Sequence, residues 1–116
     1  MTILRNMSNL LIADHAKMAE QFQALGNPHR LAIFEYLARN CCFGSTTTDD
    51  RIATTVGTLA SMLTIAPSTV SHHLKELRTA GLISMDRKGQ ERECWVEPET
   101  LQALSAYFKD LAAPCC

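Results

Sequence analysis

Apolar residues recur at helical spacing in successive stretches of this chain, and one short stretch near the end alternates instead. Met18, Phe22 and Leu25 stand at i, i+4 and i+7, the spacing of one helical face, with Asp14 suited to cap that helix and Gly26 to stop it. Asn27-Pro28 restarts the chain with a capping residue and a proline for the first turn. Leu31, Ile33, Phe34, Leu37 and Ala38 then predict a helix with a broad buried face, running to about Arg39. Residues 1–12 show no clear period and fit an arm or a short extra helix. Residues 40–55 are rich in Gly, Ser, Thr and Asp and predict a long loop, opened by the adjacent pair Cys41-Cys42.

Val56, Leu59, Ala60 and Leu63 form the next apolar face, at i, i+3, i+4 and i+7. Ile65 and Ala66 fill a tight connection, Pro67 suits the first turn of a further helix, and Gly81 ends it. Two short helices joined in this way form the helix-turn-helix pattern, whose second helix enters the DNA major groove. Each residue advances roughly 100° round a helix. With Val70 at the centre of the buried side, Ser68, His72, Lys75 and Thr79 point outward. Ser71 and Arg78 lie on one flank, Thr69 and Glu76 on the other. Small hydroxyls, an imidazole and a cation can hydrogen-bond base edges and phosphates. His73 falls near the buried side, so the adjacent histidines have different jobs: His72 outward, His73 packed or bonded to backbone. A merely solvated helix face is the alternative.

Leu82, Ile83 and Met85 predict a short strand, Arg87-Lys88-Gly89-Gln90 a charged turn, and Glu91 to Val96 a returning strand that alternates polar and apolar. A basic-tipped hairpin directly after a helix-turn-helix makes a winged helix. Its Arg87, Lys88 and Arg92 can reach phosphates or the minor groove. From Pro98 the chain turns helical again, with Leu101, Leu104, Phe108 and Leu111 on one face and Tyr107 beside them. The first and last helices both need a partner surface. A two-fold homodimer would supply it, and packing on each other within one chain is the alternative. The fold class expected is mainly α with a small β-hairpin, a winged helix-turn-helix of five or six helices plus a two- to three-stranded wing. Residues 1–116 read as a single winged-helix DNA-binding domain, with 1–25 and 98–116 as dimerisation helices and 40–55 as a cysteine-containing loop.

Composition refines this picture. The chain is 47% hydrophobic and 20% charged, as folded domains are. Its net charge of −1 is unhelpful for a DNA binder. Residues 67–95, however, carry Lys75, Arg78, Arg87, Lys88 and Arg92 against Glu76, Asp86, Glu91 and Glu93, a slight positive excess where DNA contact requires it. No run approaches the roughly 18 apolar residues of a membrane span, and the N-terminus lacks the pattern of a signal peptide. A cytoplasmic location without membrane contact is expected. The cysteine count is five, odd, with Cys41-Cys42 and Cys115-Cys116 adjacent, which fits reduced thiols better than a disulfide framework. No catalytic triad or nucleotide loop is recognisable, so an enzyme is not expected. A winged helix that binds protein instead of DNA stays open as an alternative, slightly favoured by the near-neutral charge.

Four segments, ALGNPHRLAIFEYL at 24–37, VGTLASMLTIAPSTVSHHLKELRTAGLI at 56–83, RKGQERECWV at 87–96 and the helix from Pro98, resemble the ArsR-type (arsenic-repressor) winged-helix repressors in content and order. The resemblance implies a homodimer, often with an extra short strand before the third helix. It also implies binding to double-stranded DNA at a palindromic operator, and release when an effector binds. Two features depart from it. Many metal-sensing members carry a Cys-x-Cys box at the start of the motif, where this chain reads TTVGTLA. Others bind zinc through the last helix, and 98–112 has no histidine.

Neither familiar metal site carries over, so the chain's own cysteines become the candidates. Trivalent arsenic and antimony favour three sulfur ligands, and thiolates select other soft metals too. Cys41 and Cys42 with one of Cys115 and Cys116 would supply three. The expected effector is therefore arsenite, antimonite or another soft metal ion. A thiol-redox sensor is the competing reading, and a regulator whose cysteines sense nothing is the third. Cys94 reads as a wing-strand residue without a ligand role. Zinc is less favoured because His15 and His29 look isolated.

Overall fold

The computed structural model describes residues 15–40, 54–89 and 91–113. In chain order they form helix α1 (15–25), α2 (Pro28–Asn40), strand β1 (Thr54–Thr55), α3 (Val56–Leu63), α4 (Pro67–Thr79), β2 (Ser84–Lys88), β3 (Glu91–Trp95) and α5 (Pro98–Ala112). Among the described residues this is five helices and one antiparallel sheet of strand order β1-β3-β2. It is the winged helix-turn-helix expected. Asp14, the expected cap of α1, lies outside the described residues.

Local chemistry accounts for the helix ends. Asn27 caps α2, its Oδ1 accepting from the backbone N–H of His29 at 2.9 Å and of Arg30 at 3.2 Å. Thr55 caps α3, its hydroxyl accepting from Thr58 N–H at 3.2 Å. Thr64 ends α3 with φ 57, and Pro67 opens α4 where no N–H is needed. At the far end of α4, Gly81 takes φ +80, a left-handed conformation that favours glycine. There its N–H donates to Arg78 O at 2.9 Å and Leu82 N–H donates to Leu77 O at 3.0 Å. That paired closure is a Schellman motif. Leu77 and Leu82 are both fully buried, the apolar contact that accompanies it.

The core gathers Ile33 and Leu37 from α2, Leu59 from α3, and Val70, Leu74 and Leu77 from α4. Leu82, Cys94 and Val96 complete it, all nearly or wholly out of solvent. Cys94 sits in the central strand, where its thiol donates to the Thr54 carbonyl at 3.5 Å. Burial of an apolar side chain contributes about 1.5–3 kcal/mol, so α4 is held mainly by its inner stripe.

Four expectations need correction. Leu82 and Ile83 are not strand residues: Leu82 closes the cap of α4, and the strand starts at Ser84. The hairpin turn is narrower than Arg87 to Gln90, because Arg87 pairs with Arg92 and Lys88 with Glu91, leaving a two-residue connection. Gly89, at φ +64, supplies the positive φ such a connection requires. The loop is also shorter at both ends: Asn40 closes α2, and Thr54 and Thr55 pair with Cys94 and Glu93 as β1. Residues 41–53 lie outside the described residues. Finally, Leu31 is 52% exposed. It stands about 110° round α2 from the centre of the Ile33, Phe34 and Leu37 stripe.

Helices α1 and α5 meet within the chain, the arrangement weighed against a dimer. The Phe22 ring lies 6.2 Å from Tyr107 and 5.6 Å from Phe108. Even so, Phe108 and Leu111 stay 55% and 54% exposed. No described helix is long and apolar enough to cross a membrane.

Candidate nucleic-acid interface

Helix α4 divides as its periodicity predicts. Val70, His73, Leu74 and Leu77 are buried. Ser68, Thr69, His72, Lys75 and Thr79 are exposed, and Ser71 is half-buried. Ser68, Ser71, Lys75 and Arg78 follow i, i+3, i+7 and i+10, so they form one stripe along the helix. That stripe faces the wing. Between them runs an open groove of about 460 Å³, lined from α4 by the stripe and His72, and from the wing by Met85 and Arg92.

The wing places its two arginines together on one face. Side chains alternate along a strand, and directly paired residues share a face. Arg87 pairs with Arg92 and Met85 with Cys94, which places these four on one side of the hairpin. Asp86 pairs with Glu93, on the other side. Arg92 reaches across to α4, its Nη2 donating to Ser71 Oγ at 3.4 Å. Among the residues lining the groove none is a carboxylate. The ion pair found among the described residues, Arg39 with Glu35 at 3.9 Å, lies on α2. Near-neutral net charge is thus compatible with a cationic groove, because Asp86 and Glu93 sit behind it and Glu76 lines a separate cleft with Glu20.

Of the expected contact residues, the groove brings together Ser68, Ser71, His72, Lys75 and Arg92. Thr69 is exposed on the opposite flank of α4. Arg87 is exposed further toward the wing tip, and Lys88 lies in β2 beside it. Arg78, expected only as a flank residue, and Met85 also line the groove. The spacing from Ser68 to Arg78 held the signal for the first. Met85 looks like an ordinary strand residue until the wing folds back.

His73 is the buried partner of exposed His72, 8% accessible, with its Nδ1 unpartnered among the described residues. Its ring stacks on His29 at 5.7 Å and 27°, so His29 is not isolated as it looks in sequence. Burial holds the His73 imidazole below its ordinary pKa of 6.5. Arg30, His29 and His72 push the same way, and Glu76 opposes them. Among the described residues no cluster of three or more His, Cys, Asp or Glu side chains could hold a metal. Cys41, Cys42, Cys115 and Cys116 lie outside the described residues.

A helix presenting hydroxyls, an imidazole and a cation beside a cationic hairpin has the form of a DNA-reading surface. The helix-turn-helix domain family matches residues 25–86. An ArsR family transcriptional regulator of solved structure is 26% identical, with a TM-score of 0.66, covering 84% of this chain and 93% of its own. This chain belongs to the ArsR-type winged helix-turn-helix family. Its structure is also similar to that of a possible transcriptional regulator for arsenical resistance, 26% identical, TM-score 0.60, covering 79% of this chain and 83% of that one. A homodimeric winged helix-turn-helix DNA-binding domain from Mycobacterium bovis shares the fold, at 24% identity and a TM-score of 0.64, covering 88% and 83% of the two chains. No curated protein sequence matches the chain. As an ArsR-type protein it is a DNA-binding transcriptional regulator.

Proposed function

We propose that this ArsR-type regulator is a cytoplasmic homodimeric repressor. Its two α4 helices read a palindromic operator, and a thiophilic effector bound at cysteines releases it. The observation that carries the DNA part is the exposed Ser68, His72 and Lys75 face of α4 beside a wing whose Arg87 and Arg92 share one side while Asp86 and Glu93 share the other. Base contacts fall to Ser68, Thr69 and His72, and phosphate contacts to Lys75, Arg87, Lys88 and Arg92, with Ser71 at the DNA surface between the two sets. Exposed Phe108 and Leu111 beside Phe22 support a dimer through α1 and α5, and the Mycobacterium bovis domain of the same fold is homodimeric. The effector part rests on the paired thiols Cys41-Cys42 and Cys115-Cys116, which suit arsenite, antimonite or another soft metal. Similarity to a possible arsenical-resistance regulator supports the same choice.

A duplex enriched by the full-length protein from a random-sequence pool tests the proposal. His72→Ala should lose the preference for that duplex while remaining folded. The complex is then titrated in parallel with arsenite, antimonite, cadmium, zinc and a peroxide. Release by arsenite or antimonite that Cys41→Ser with Cys42→Ser abolishes is the expected result. Release by peroxide alone would replace the metal effector with thiol oxidation, and no release by any of them would remove the effector from the proposal.

A further inference from the structure

We infer that the seam between α4 and the wing is a backbone-phosphate site, with Arg78 and Arg92 as its two jaws and Ser71 as the spacer that sets Arg92. The inference rests on the DNA-binding reading above and deepens it. If α4 lies in the major groove and the hairpin reaches the adjoining minor groove, one sugar-phosphate strand separates the two. That strand must cross the protein where helix and hairpin meet. The seam is where Lys75, Arg78 and Arg92 converge without a carboxylate. None of the three is in an ion pair with a described residue. Arg78 stands in the last turn of α4, the negative end of the helix dipole. An anion there must be held by side-chain cations, which the two guanidiniums supply, each able to grip a phosphate through paired N–H donors. Met85 contributes an apolar wall with no competing acceptor. Ser71 already accepts from Arg92 at 3.4 Å, so its hydroxyl serves to position that guanidinium. Base reading then narrows to Ser68, Thr69 and His72.

The test measures affinity against salt concentration for two duplexes, the one enriched by the wild-type protein and a scrambled duplex of equal length and composition. Each phosphate contact adds about 0.9 to the slope of log affinity against log salt. Arg78→Gln and Arg92→Gln should each lower the slope by about that much on both duplexes and weaken both by the same factor. Arg78→Lys, which keeps the charge, should restore the slope. Ser71→Ala should leave the ranking of base substitutions in the enriched duplex unchanged. Arg39→Gln, outside the seam, should leave the slope unchanged. An unaltered slope in Arg78→Gln overturns the phosphate site. So does an altered base ranking at constant slope, or an equal fall in Arg39→Gln. If no sequence is enriched but the slope still falls on the scrambled duplex, the operator-reading function fails and the phosphate site stands.

Discussion

Helix α4 places Val70, His73, Leu74 and Leu77 out of solvent, and its outer side is polar. Helix α5 has an equally regular apolar stripe, yet it buries Leu104, leaves Leu101 and Tyr107 half-buried, and exposes Phe108 and Leu111. Both helices are amphipathic, and the described residues cover only the first in full. The inner side of α4 is used up by α2 and α3, so its outer side is free to carry chemistry. The stripe of α5 is half used, Phe108 by Phe22, and what remains, Leu111 included, is exposed surface without a partner among the described residues. The difference separates a helix whose function lies on its polar face from one whose function lies on its apolar face.

Emptying the inner side of α4 should give the largest effect. Leu74 is fully buried, and Leu74→Ala should cost about 2–5 kcal/mol, the lost transfer energy plus the cavity. Against a typical total of about 5–15 kcal/mol, that is a large share of the stability. Urea unfolding followed by circular dichroism measures it. A cost under about 1 kcal/mol would mean that the inner stripe of α4 does not anchor the helix.

The outer stripe of α5 should answer differently. Phe108→Ala should change the stability of the isolated chain by no more than about 0.5 kcal/mol, as exposed substitutions usually do. It should weaken the proposed dimer by about 1.5–3 kcal/mol for each Phe108 buried at the interface. Sedimentation across a concentration series distinguishes the two. If dimer affinity is unchanged while chain stability falls, Phe108 serves the intrachain contact with Phe22, and the contrast between the helices closes.

The two helices were not equally legible in the sequence, for a physical reason. Helical period alone separates His72 from His73, because facing is a local property once Val70 is assigned inward. Arg78 was placed on a flank by the same geometry. What turns that flank into a site is the wing, which arrives from residues 84–95. The contact between His29 and His73 is likewise tertiary, and nothing within either segment announces it. Thr54 and Thr55 sit in a run of Ser, Thr and Asp that has loop composition. Their strand exists because Cys94 and Glu93 offer an edge, and because the Thr55 hydroxyl is needed as a cap. The α5 stripe was readable as a face that needs cover, whereas its division between Phe22 and solvent was not.

The smallest expected effect lies at the buried histidine of α4, and it tests whether that side tolerates charge. His73 is held below 6.5 by burial first, then by Arg30, His29 and His72 against Glu76. The unfolded chain protonates this imidazole at its ordinary pKa, and the folded chain only at lower pH. As pH falls below 6.5 the unfolded state therefore binds more protons than the folded one, so stability decreases through that window. Above 6.5 the contribution is constant. Below the folded pKa it levels off again. The relevant measurement is the urea midpoint on either side of 6.5 in the wild type and in His73→Gln, with the change compared and not the level. The wild type should lose more stability than the variant on acidification. Equal losses would mean that the ring stacked on His29 accepts its proton as readily in the fold as outside it, and that the inner side of α4 is open to water.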